Sequence, residues 1–335
     1  MPELSFIAYP ALLIVSLALI LFACELLTNG IEWTGKRLDL PEGATGSILA
    51  AVGTALPETS IPIIALIAGS QGGDIAVGAI AGAPFMLSTL GFFVTGAAVL
   101  YFARSGKRPP VLNADTSLIT RDLGFFLVIY SVAFLTTFIE ARAFRLTVAA
   151  GLVLSYAYYT FLTLAHAGNK HGEMEELHLS RAFHLDEAHN GHIAFQVVAS
   201  LVLIVAGAHF FVVAVEHVSV LLSVPAMLLS LLVTPIATEL PEKMNSVLWI
   251  RDKKDTLAIG NITGAMVFQA SFPVAIGVAF TPWRLTGPTM VSAIIAILSA
   301  GLCYVTLKTK KKLPPHYLMA GGAFYAAFII YLLAA

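Results

Sequence analysis

Charged residues are scarce in this sequence. Asp, Glu, Lys and Arg make up 12% of its 335 residues, whereas ordinary soluble domains carry about 25%. The mean hydropathy is +0.86, so the composition indicates an integral membrane protein whose main partner is the lipid bilayer. A net charge of -1 excludes the strongly basic balance of nucleic-acid-binding domains. Nothing in the sequence indicates an oligomeric state.

Cysteine is also rare, and several functional signatures are missing. Cys24 and Cys303 each lie in an apolar run, which excludes a disulfide framework. The first residues lack the basic segment of a signal peptide, and the apolar run from Phe6 to about Thr28 is too long for one, so we expect a retained first span. No His-Glu-x-x-His, Gly-x-Ser-x-Gly or Cys/His nucleophile pairing occurs. We therefore expect no enzyme and no prosthetic cofactor.

Apolar runs of about 20 residues, the length that crosses a bilayer, recur ten times along the chain. We number them as spans 1 to 10, at residues 6–28, 44–69, 74–103, 117–138, 145–166, 192–217, 223–250, 255–281, 287–307 and 316–334. Trp33, Trp249 and Trp283 fall near span ends, as residues of an aromatic belt do. The predicted fold class is an all-α membrane protein with ten transmembrane helices.

Lys and Arg residues are distributed unevenly over the loops of this layout. The odd-numbered loops hold 14 of the 19, from Lys36 in the first to Lys312 in the last. The even-numbered loops hold Arg142, Arg145 and Arg284. Because cytoplasmic loops carry the excess of basic residues, we expect the odd loops in the cytoplasm and both termini outside. The expected location is the cell (plasma) membrane.

Two nearly identical hexapeptides lie inside spans 2 and 7, GTALPE at residues 53–58 and ATELPE at residues 237–242. The two spans are five apart, so the equivalent helices run in opposite directions, as in the inverted repeats of many transporters. We therefore predict two inverted-topology five-helix repeats, residues 1–166 and 192–335. A His-rich cytoplasmic linker at residues 167–191 joins them.

A second pair of matching segments lies just downstream, at residues 74–83 and 256–265. Each contains two glycines four residues apart, which are Gly78, Gly82, Gly260 and Gly264. Small residues at this spacing let the backbones of membrane helices approach closely. We therefore expect spans 3 and 8 to pack tightly against spans 2 and 7.

An acidic residue ends each hexapeptide, Glu58 in the first and Glu242 in the second. A charge at membrane depth costs at least ~2.5 kcal/mol by insertion scales, so an intramembrane carboxylate indicates a function. Pro57 and Pro241 cannot donate a main-chain hydrogen bond, so they should release carbonyls one turn earlier and kink their helices. Such hard oxygens suit Ca²⁺, which takes about 6–8 of them, better than Mg²⁺ or Zn²⁺.

At these residues the sequence resembles the calcium/cation antiporter superfamily, and its sodium/calcium exchanger branch in particular. The two repeats of that family carry GTSLPE-like and GNxxGSNxxN-like motifs, and the likeness extends over the ten-span layout. The resemblance implies that Glu58 and Glu242 bind the cation together with the main-chain carbonyls of Thr54 and Thr238. It also implies that spans 1 and 6 slide across the other helices and alternate access to the site.

Several positions depart from the family motifs. Ala55 and Glu239 replace the serine of the first motif, and the last polar position of the second motif is Leu87 in one repeat and Gln269 in the other. Only Asn261 keeps the asparagine of the Gly-Asn pair. Glu239, Asn261 and Gln269 are therefore second-rank metal ligands. Most sodium-ligating oxygens of the family are missing, and a carboxylate in apolar surroundings takes up a proton readily, so Na⁺ and H⁺ are both expected counter-ions.

Lys243 follows Glu239 by four residues, with the acid first, which favours a helical ion pair. The tethered ammonium either neutralises Glu239 or stands in for one coupling cation. In the linker, most of the histidines crowd together at spacings that match no recognised zinc motif. A solvated, partly helical linker and a regulatory metal or pH sensor both fit that composition.

The predicted function is secondary active antiport of Ca²⁺, or a similar divalent cation, against Na⁺ or H⁺ by alternating access. The alternative is a passive cation channel that uses the same intramembrane carboxylates for selectivity. Uphill counter-transport distinguishes the two, because a channel only dissipates a gradient. Inorganic cations are the expected substrates in either case.

Overall fold

The computed structural model describes residues 2–37, 50–68, 71–166, 176–182 and 189–334. These residues form helices joined by short connections, and no strand occurs among them. In chain order the helices are α1 (Pro2–Arg37), α2 (Ala50–Ala68), α3 (Gly72–Met86), α4 (Phe92–Arg104), α5 (Thr116–Leu135), α6 (Arg142–His166), α7 (His178–Ala182), α8 (Asn190–Leu222), α9 (Ala226–Thr238), α10 (Leu240–Arg251), α11 (Asp255–Phe280), α12 (Pro288–Lys310) and α13 (Pro315–Ala334). A π-helical turn (Leu87–Gly91) joins α3 to α4, and a 3-10 turn (Thr136–Phe138) follows α5. The all-α class is confirmed for this part of the chain.

Within the described ranges, eight helical segments are long and apolar enough to cross a membrane. Two shorter apolar helices, Pro57–Ile67 and Ala226–Ile236, lie inside predicted spans 2 and 7. Each predicted span thus overlaps at least one helix of the described residues. The count of ten membrane crossings and the inverted repeat stay predictions.

The chain divides into two compact units. The first consists of Met1–Gly72 and Ala157–Ala226, and the second of Gly73–Tyr156 and Met227–Ala335. Each unit takes segments from both predicted repeats, because the units follow contact in space and the repeats follow order along the sequence. The repeat and linker boundaries therefore stay predictions.

In the first unit, α1 and α8 lie side by side and run antiparallel. Tyr9 near the start of α1 stacks on His217 near the end of α8, with ring centroids 4.0 Å apart. Further along, a Cβ on Gly207 would lie 2.8 Å from Ile20 Cγ1. The missing side chain lets the two helices approach closely, so predicted spans 1 and 6 contact each other directly.

A buried polar network fixes the described linker segment at residues 176–182 to this helix pair. Asn29 of α1 and Gln196 of α8 are 5% and 2% exposed, and Gln196 Nε2 donates to Asn29 Oδ1 at 2.9 Å. The same two side chains accept from the main-chain N–H groups of His178 at 3.0 Å and Leu179 at 2.8 Å. Because these side-chain amides have partners inside the protein, their burial costs little. The short helix α7 is thereby anchored to α1 and α8.

In the second unit, glycines bring α3 against α9. A Cβ on Gly78 or on Gly82 would lie 2.2 Å from a main-chain carbonyl oxygen of α9, a distance that no side-chain carbon tolerates. The predicted close packing of span 3 against span 7 is confirmed at these two positions. Gly260 differs, because a Cβ there would meet only the Leu118 side chain of α5, at 3.4 Å.

A buried ion pair joins two loops of the second unit. Arg108 follows α4, and its guanidinium donates to both carboxylate oxygens of Asp255 at the start of α11, each at 2.7 Å. Arg108 also donates to the carbonyl of Ile250, and Asp255 accepts from the N–H of Asn113, both at 2.7 Å. A bidentate pair with its remaining hydrogen-bonding groups satisfied holds the loops in one arrangement.

The sequence predicts that Trp283 lies in an aromatic belt, and this prediction is wrong. The residue is 1% exposed, and its indole Nε1 donates to the carbonyl of Ala133 at 2.9 Å. The ring occupies space left by Gly277, where a Cβ would lie 2.5 Å from Trp283 Cζ3. A partner for the indole N–H and an empty position on α11 make burial more favourable than a place at the interface.

The α3–α9 contact predicts a stability difference between two glycines. Gly78→Ala should lower the thermal midpoint of the detergent-solubilised protein, because overpacking against main-chain atoms costs about 1–3 kcal/mol. Gly301→Ala in α12 is the matched control. Among the described residues, no neighbouring atom lies within 4 Å of a Cβ added at Gly301. Because alanine favours helix more than glycine does, Gly301→Ala should be at least as stable as the wild type. Equal midpoints for the two variants would contradict the close contact.

Candidate cation site

The first predicted carboxylate, Glu58, lies in the interior of α2. This helix contains Pro57 and Pro62 and runs through both without interruption. Glu58 is 5% exposed and its neighbour Thr59 is 8% exposed. The acidic side chain of Glu58 is therefore buried, although the helix that carries it is apolar in composition. The side chain of Thr54 lies outside the described residues, so its predicted role stays a prediction.

The second hexapeptide interrupts its helix. Helix α9 ends at Thr238 and α10 begins at Leu240, with Glu239 between them at φ −90° and ψ −4°. Pro241 occupies the first turn of α10, where its missing N–H is tolerated. The Thr238 hydroxyl donates back to the carbonyl of Thr234 at 3.0 Å. The kink expected in span 7 is therefore confirmed as a break, whereas α2 is continuous.

Glu239 and Lys243 form the ion pair that their spacing predicts. Lys243 Nζ donates to Glu239 Oε2 at 2.7 Å. Lys243 is 7% exposed and Glu239 is 0% exposed. Solvent therefore screens the attraction between them only weakly. Glu239 Oε1 accepts no hydrogen bond from any residue that the structure describes. One carboxylate oxygen thus remains available to a further donor or cation.

The other second-rank ligand candidates lie on α11. Gln269 is 4% exposed, and within the described part of the chain its Oε1 has no hydrogen-bond donor. Asn261, two turns earlier, is half-buried. A buried amide oxygen without a donor is unusual in a folded protein and marks a place where water or an ion would be stabilised.

A polar link between α5 and α11 is absent from the sequence-based prediction. Asp122 of α5 is 1% exposed and accepts from the Thr263 hydroxyl at 2.8 Å. Arg121 Nη2 lies 3.2 Å from the same carboxylate. Asp122 is isolated in the sequence and belongs to no repeated motif, so the only available signal is an acidic residue inside an apolar span.

The π-helical turn is a second feature that the sequence does not reveal. A Cβ on Gly91, at its end, would lie 3.9 Å from Lys243 Cε. The Ser88 hydroxyl donates to the carbonyl of Pro84 at 2.7 Å, one turn earlier. Single π turns inside α-helices are frequent at functional sites. The only local signal is Pro84, whose missing N–H disturbs the regular helical hydrogen bonds.

The predicted ligands are thus distributed over both compact units. Glu58 belongs to the first unit, and Thr238, Glu239, Asn261 and Gln269 belong to the second. The side chain of Glu242 lies outside the described residues. Among the residues that are described, no group of three or more His, Cys, Asp or Glu side chains is arranged to hold a metal ion. The meeting of Glu58 with Glu242 around a cation therefore stays a prediction.

Comparisons with known proteins support the resemblance seen in the motifs. The chain is 23% identical to the inner membrane protein YrbG of Escherichia coli (strain K12), over 88% of both chains. It is 22% identical to the putative antiporter CaxA of Alkalimonas amylolytica, over 80% of both chains.

Solved structures show the same fold. The crystal structure of the H⁺/Ca²⁺ exchanger CAX superimposes with a TM-score of 0.72 at 16% identity, over 97% of this chain and 82% of that one. The sodium-calcium exchanger NCX_Mj gives a TM-score of 0.56 at 16% identity, over 97% and 98%. The family model described as sodium/calcium exchanger protein matches residues 8–166 and 192–335. The chain therefore belongs to the sodium/calcium exchanger family.

Proposed function

We propose that this protein exchanges Ca²⁺, or a similar divalent cation, against Na⁺ or H⁺ across a membrane by alternating access. The observation that carries the proposal is Glu58, an acidic side chain that is 5% exposed in the interior of an apolar helix. Its counterpart in the repeated hexapeptide is Glu242. An ionisable side chain at such a position is by default part of an ion pathway, and its carboxylate oxygens can bind a transported cation.

The chemistry of the proposed ligands favours a hard divalent cation. Glu58 and Glu242 offer carboxylate oxygens, and the main-chain carbonyls of Thr54 and Thr238 complete the predicted set. Glu239 and Gln269 add side-chain oxygens that lack donors among the described residues. Ca²⁺ accepts about 6–8 oxygens in flexible geometry, whereas Zn²⁺ prefers His and Cys and Mg²⁺ demands a rigid octahedron.

The proposed counter-ion is Na⁺ or H⁺, and the substitutions in the motifs bear on the choice. Ala55, Leu87 and Glu239 occupy positions where the family pattern has polar sodium ligands or their neighbours. Fewer neutral oxygens weaken Na⁺ binding, whereas a buried carboxylate exchanges a proton for a metal ion without further ligands. Ca²⁺ uptake driven separately by a Na⁺ gradient and by a pH gradient distinguishes the two ions.

Lys243 neutralises Glu239 in this proposal. The ion pair has a distance of 2.7 Å and both side chains are buried, so the ammonium compensates a carboxylate that is costly to bury alone. Its side chain is tethered one helical turn away and therefore cannot leave with the cargo.

The odd-numbered loops are proposed to be cytoplasmic, because they hold most of the Lys and Arg residues. Labelling of a Lys312→Cys variant with an impermeant thiol reagent tests this orientation.

Replacing either principal carboxylate should abolish exchange. Glu58→Gln and Glu242→Gln keep the shape of the side chain and remove its charge, so Ca²⁺ loses an anionic ligand. We expect Ca²⁺ uptake against its own gradient in proteoliposomes to fall to the level of empty vesicles. Glu140→Gln is the matched control, because this residue pairs with Arg284 in a loop and its side chain is 82% exposed.

Two results of the same assay would contradict the proposal. Exchange retained in both variants would remove these residues from the site. Flux that only dissipates a Ca²⁺ gradient, with no uphill movement under any opposing Na⁺ or H⁺ gradient, would indicate a channel. Membership of an exchanger family favours coupled transport.

The neutralising role of Lys243 predicts a non-additive pair of substitutions. Lys243→Met leaves Glu239 buried without its partner, which should cost about 3–5 kcal/mol of stability. The double variant Glu239→Gln/Lys243→Met removes both charges and should restore most of the thermal midpoint. It should also retain coupled uptake. A double variant that is stable and inserted but has lost coupling would contradict a purely neutralising role for the pair.

A further inference from the structure

The second unit contains a cavity of about 800 Å³ that the cation site does not use. Most of its wall is one face of α5, and the rest comes from α12 and from Ser155 of α6. The α5 residues in the wall are Thr116, Ser117, Thr120, Arg121, Gly124, Phe125, Val128 and Ile129. These recur every three or four residues, so they form one continuous stripe along the helix. The fourteen residues from Thr116 to Ile129 make this stripe about 20 Å long.

Polarity changes along the cavity. The first half of the stripe, from Thr116 to Arg121, is hydroxylated or charged, and the second half, from Phe125 to Ile129, is apolar. Gly124 separates the halves, and a Cβ there would lie 3.5 Å from the ring of Tyr304 on the opposite wall. The cavity is therefore an amphipathic slot, polar at the end that we call its polar mouth (Thr116 to Arg121) and apolar at the other end.

The charged residues of the slot all have the same sign. Arg121, Lys308 and Lys311 line it, and no Asp or Glu is among its lining residues. Lys308 Nζ lies 5.6 Å from the centroid of the Tyr304 ring, which holds the ammonium beside the wall. The carboxylate next to Arg121, Asp122, is 1% exposed and directed to Thr263 and Arg121 rather than into the slot. Arg121 is paired with Asp122, so Lys308 and Lys311 carry the positive charge that no lining carboxylate offsets. This charge repels Ca²⁺, so the slot is unsuited to admit a divalent cation.

We propose that this slot binds one anionic phospholipid, with the headgroup phosphate at Lys308 and Lys311 and an acyl chain along Phe125, Val128 and Ile129. The polar mouth lies where α5 begins and α12 ends, which is the membrane surface that the Lys and Arg distribution predicts to be cytoplasmic. A lipid of that leaflet presents its phosphate and its chain in this order. Anionic headgroups are attracted to basic pockets between membrane helices on that side.

The slot favours a lipid over a soluble anion because half of its wall is apolar. Phosphate alone would not cover the apolar end of the slot, whereas an acyl chain there gains about 0.8 kcal/mol for each buried CH₂. Val128 is 65% exposed in the protein alone, so it offers apolar surface to such a chain.

Native mass spectrometry of the detergent-purified full chain, titrated with phosphatidylglycerol or phosphatidylcholine, tests the headgroup contact. Lys308→Gln/Lys311→Gln should weaken phosphatidylglycerol binding about tenfold or more, since each basic residue near an anionic surface contributes severalfold. Lys310→Gln/Lys312→Gln removes the same charge from the same segment outside the slot and should change binding less than about threefold. Equal loss in the two variants, or equal affinity for both lipids, would overturn the proposal.

A second variant tests the shape of the slot with every charge retained. Gly124→Leu places a side chain between the polar and apolar halves and should reduce phosphatidylglycerol binding severalfold. Gly191→Leu, on α8 in the first unit, is the control and should not, because an added Cβ there has no atom within 4 Å among the described residues. Thermal midpoints confirm that both variants are folded. Unchanged binding in Gly124→Leu would contradict an acyl chain in the slot. Displacement of the lipid by an equal concentration of glycerol phosphate would show a site for soluble anions and overturn the lipid assignment.

Discussion

The central constraint on this structure is that an acidic side chain in an apolar helix needs a compensating charge. Insertion scales place the cost of an uncompensated charge at about 2.5–3.5 kcal/mol. This protein buries several acidic side chains. Glu239 is compensated by Lys243 at 2.7 Å. Asp122 is compensated by Arg121 and a hydroxyl from Thr263. Glu58 is the member of this group that is proposed to bind a transported cation.

Close helix packing is the second condition for such a site. Gly78 and Gly82 allow the backbone of α3 to approach α9, whose end carries Thr238 and Glu239. The π turn places Gly91 beside the Lys243 side chain. Side chains larger than hydrogen at Gly78 or Gly82 would push α3 and α9 apart and disturb the position of the ion pair. The repeated glycines therefore position the polar groups without supplying any ligand themselves.

Much of the architecture could be predicted from the sequence, because membrane helices are specified by long apolar runs. The predicted span at residues 255–281 corresponds to α11 at Asp255–Phe280, and the Glu239–Lys243 pair follows from a spacing of one helical turn. Local rules of this kind need no knowledge of the tertiary structure.

The remaining features depend on contacts between residues far apart in the chain. Thr263 meets Asp122 only because α11 lies against α5, and Gln196 meets Asn29 only because α1 and α8 are antiparallel. The sequence predicts Trp283 at the interface, but the residue is buried. The space beside Gly277 and the carbonyl of Ala133, which make burial favourable, become apparent only in the folded chain. Hydropathy cannot report such partners. The slot between α5 and α12 is hidden for the same reason.

Calcium binding to the purified protein tests the central claim most directly. Isothermal titration of Ca²⁺ into the wild type and into Glu58→Gln, with Mg²⁺ and Na⁺ as comparison ions, measures whether this carboxylate is compensated by the cargo. The account predicts saturable Ca²⁺ binding to the wild type and none to the variant, with both proteins folded. Equal Ca²⁺ affinity in the two proteins would contradict it.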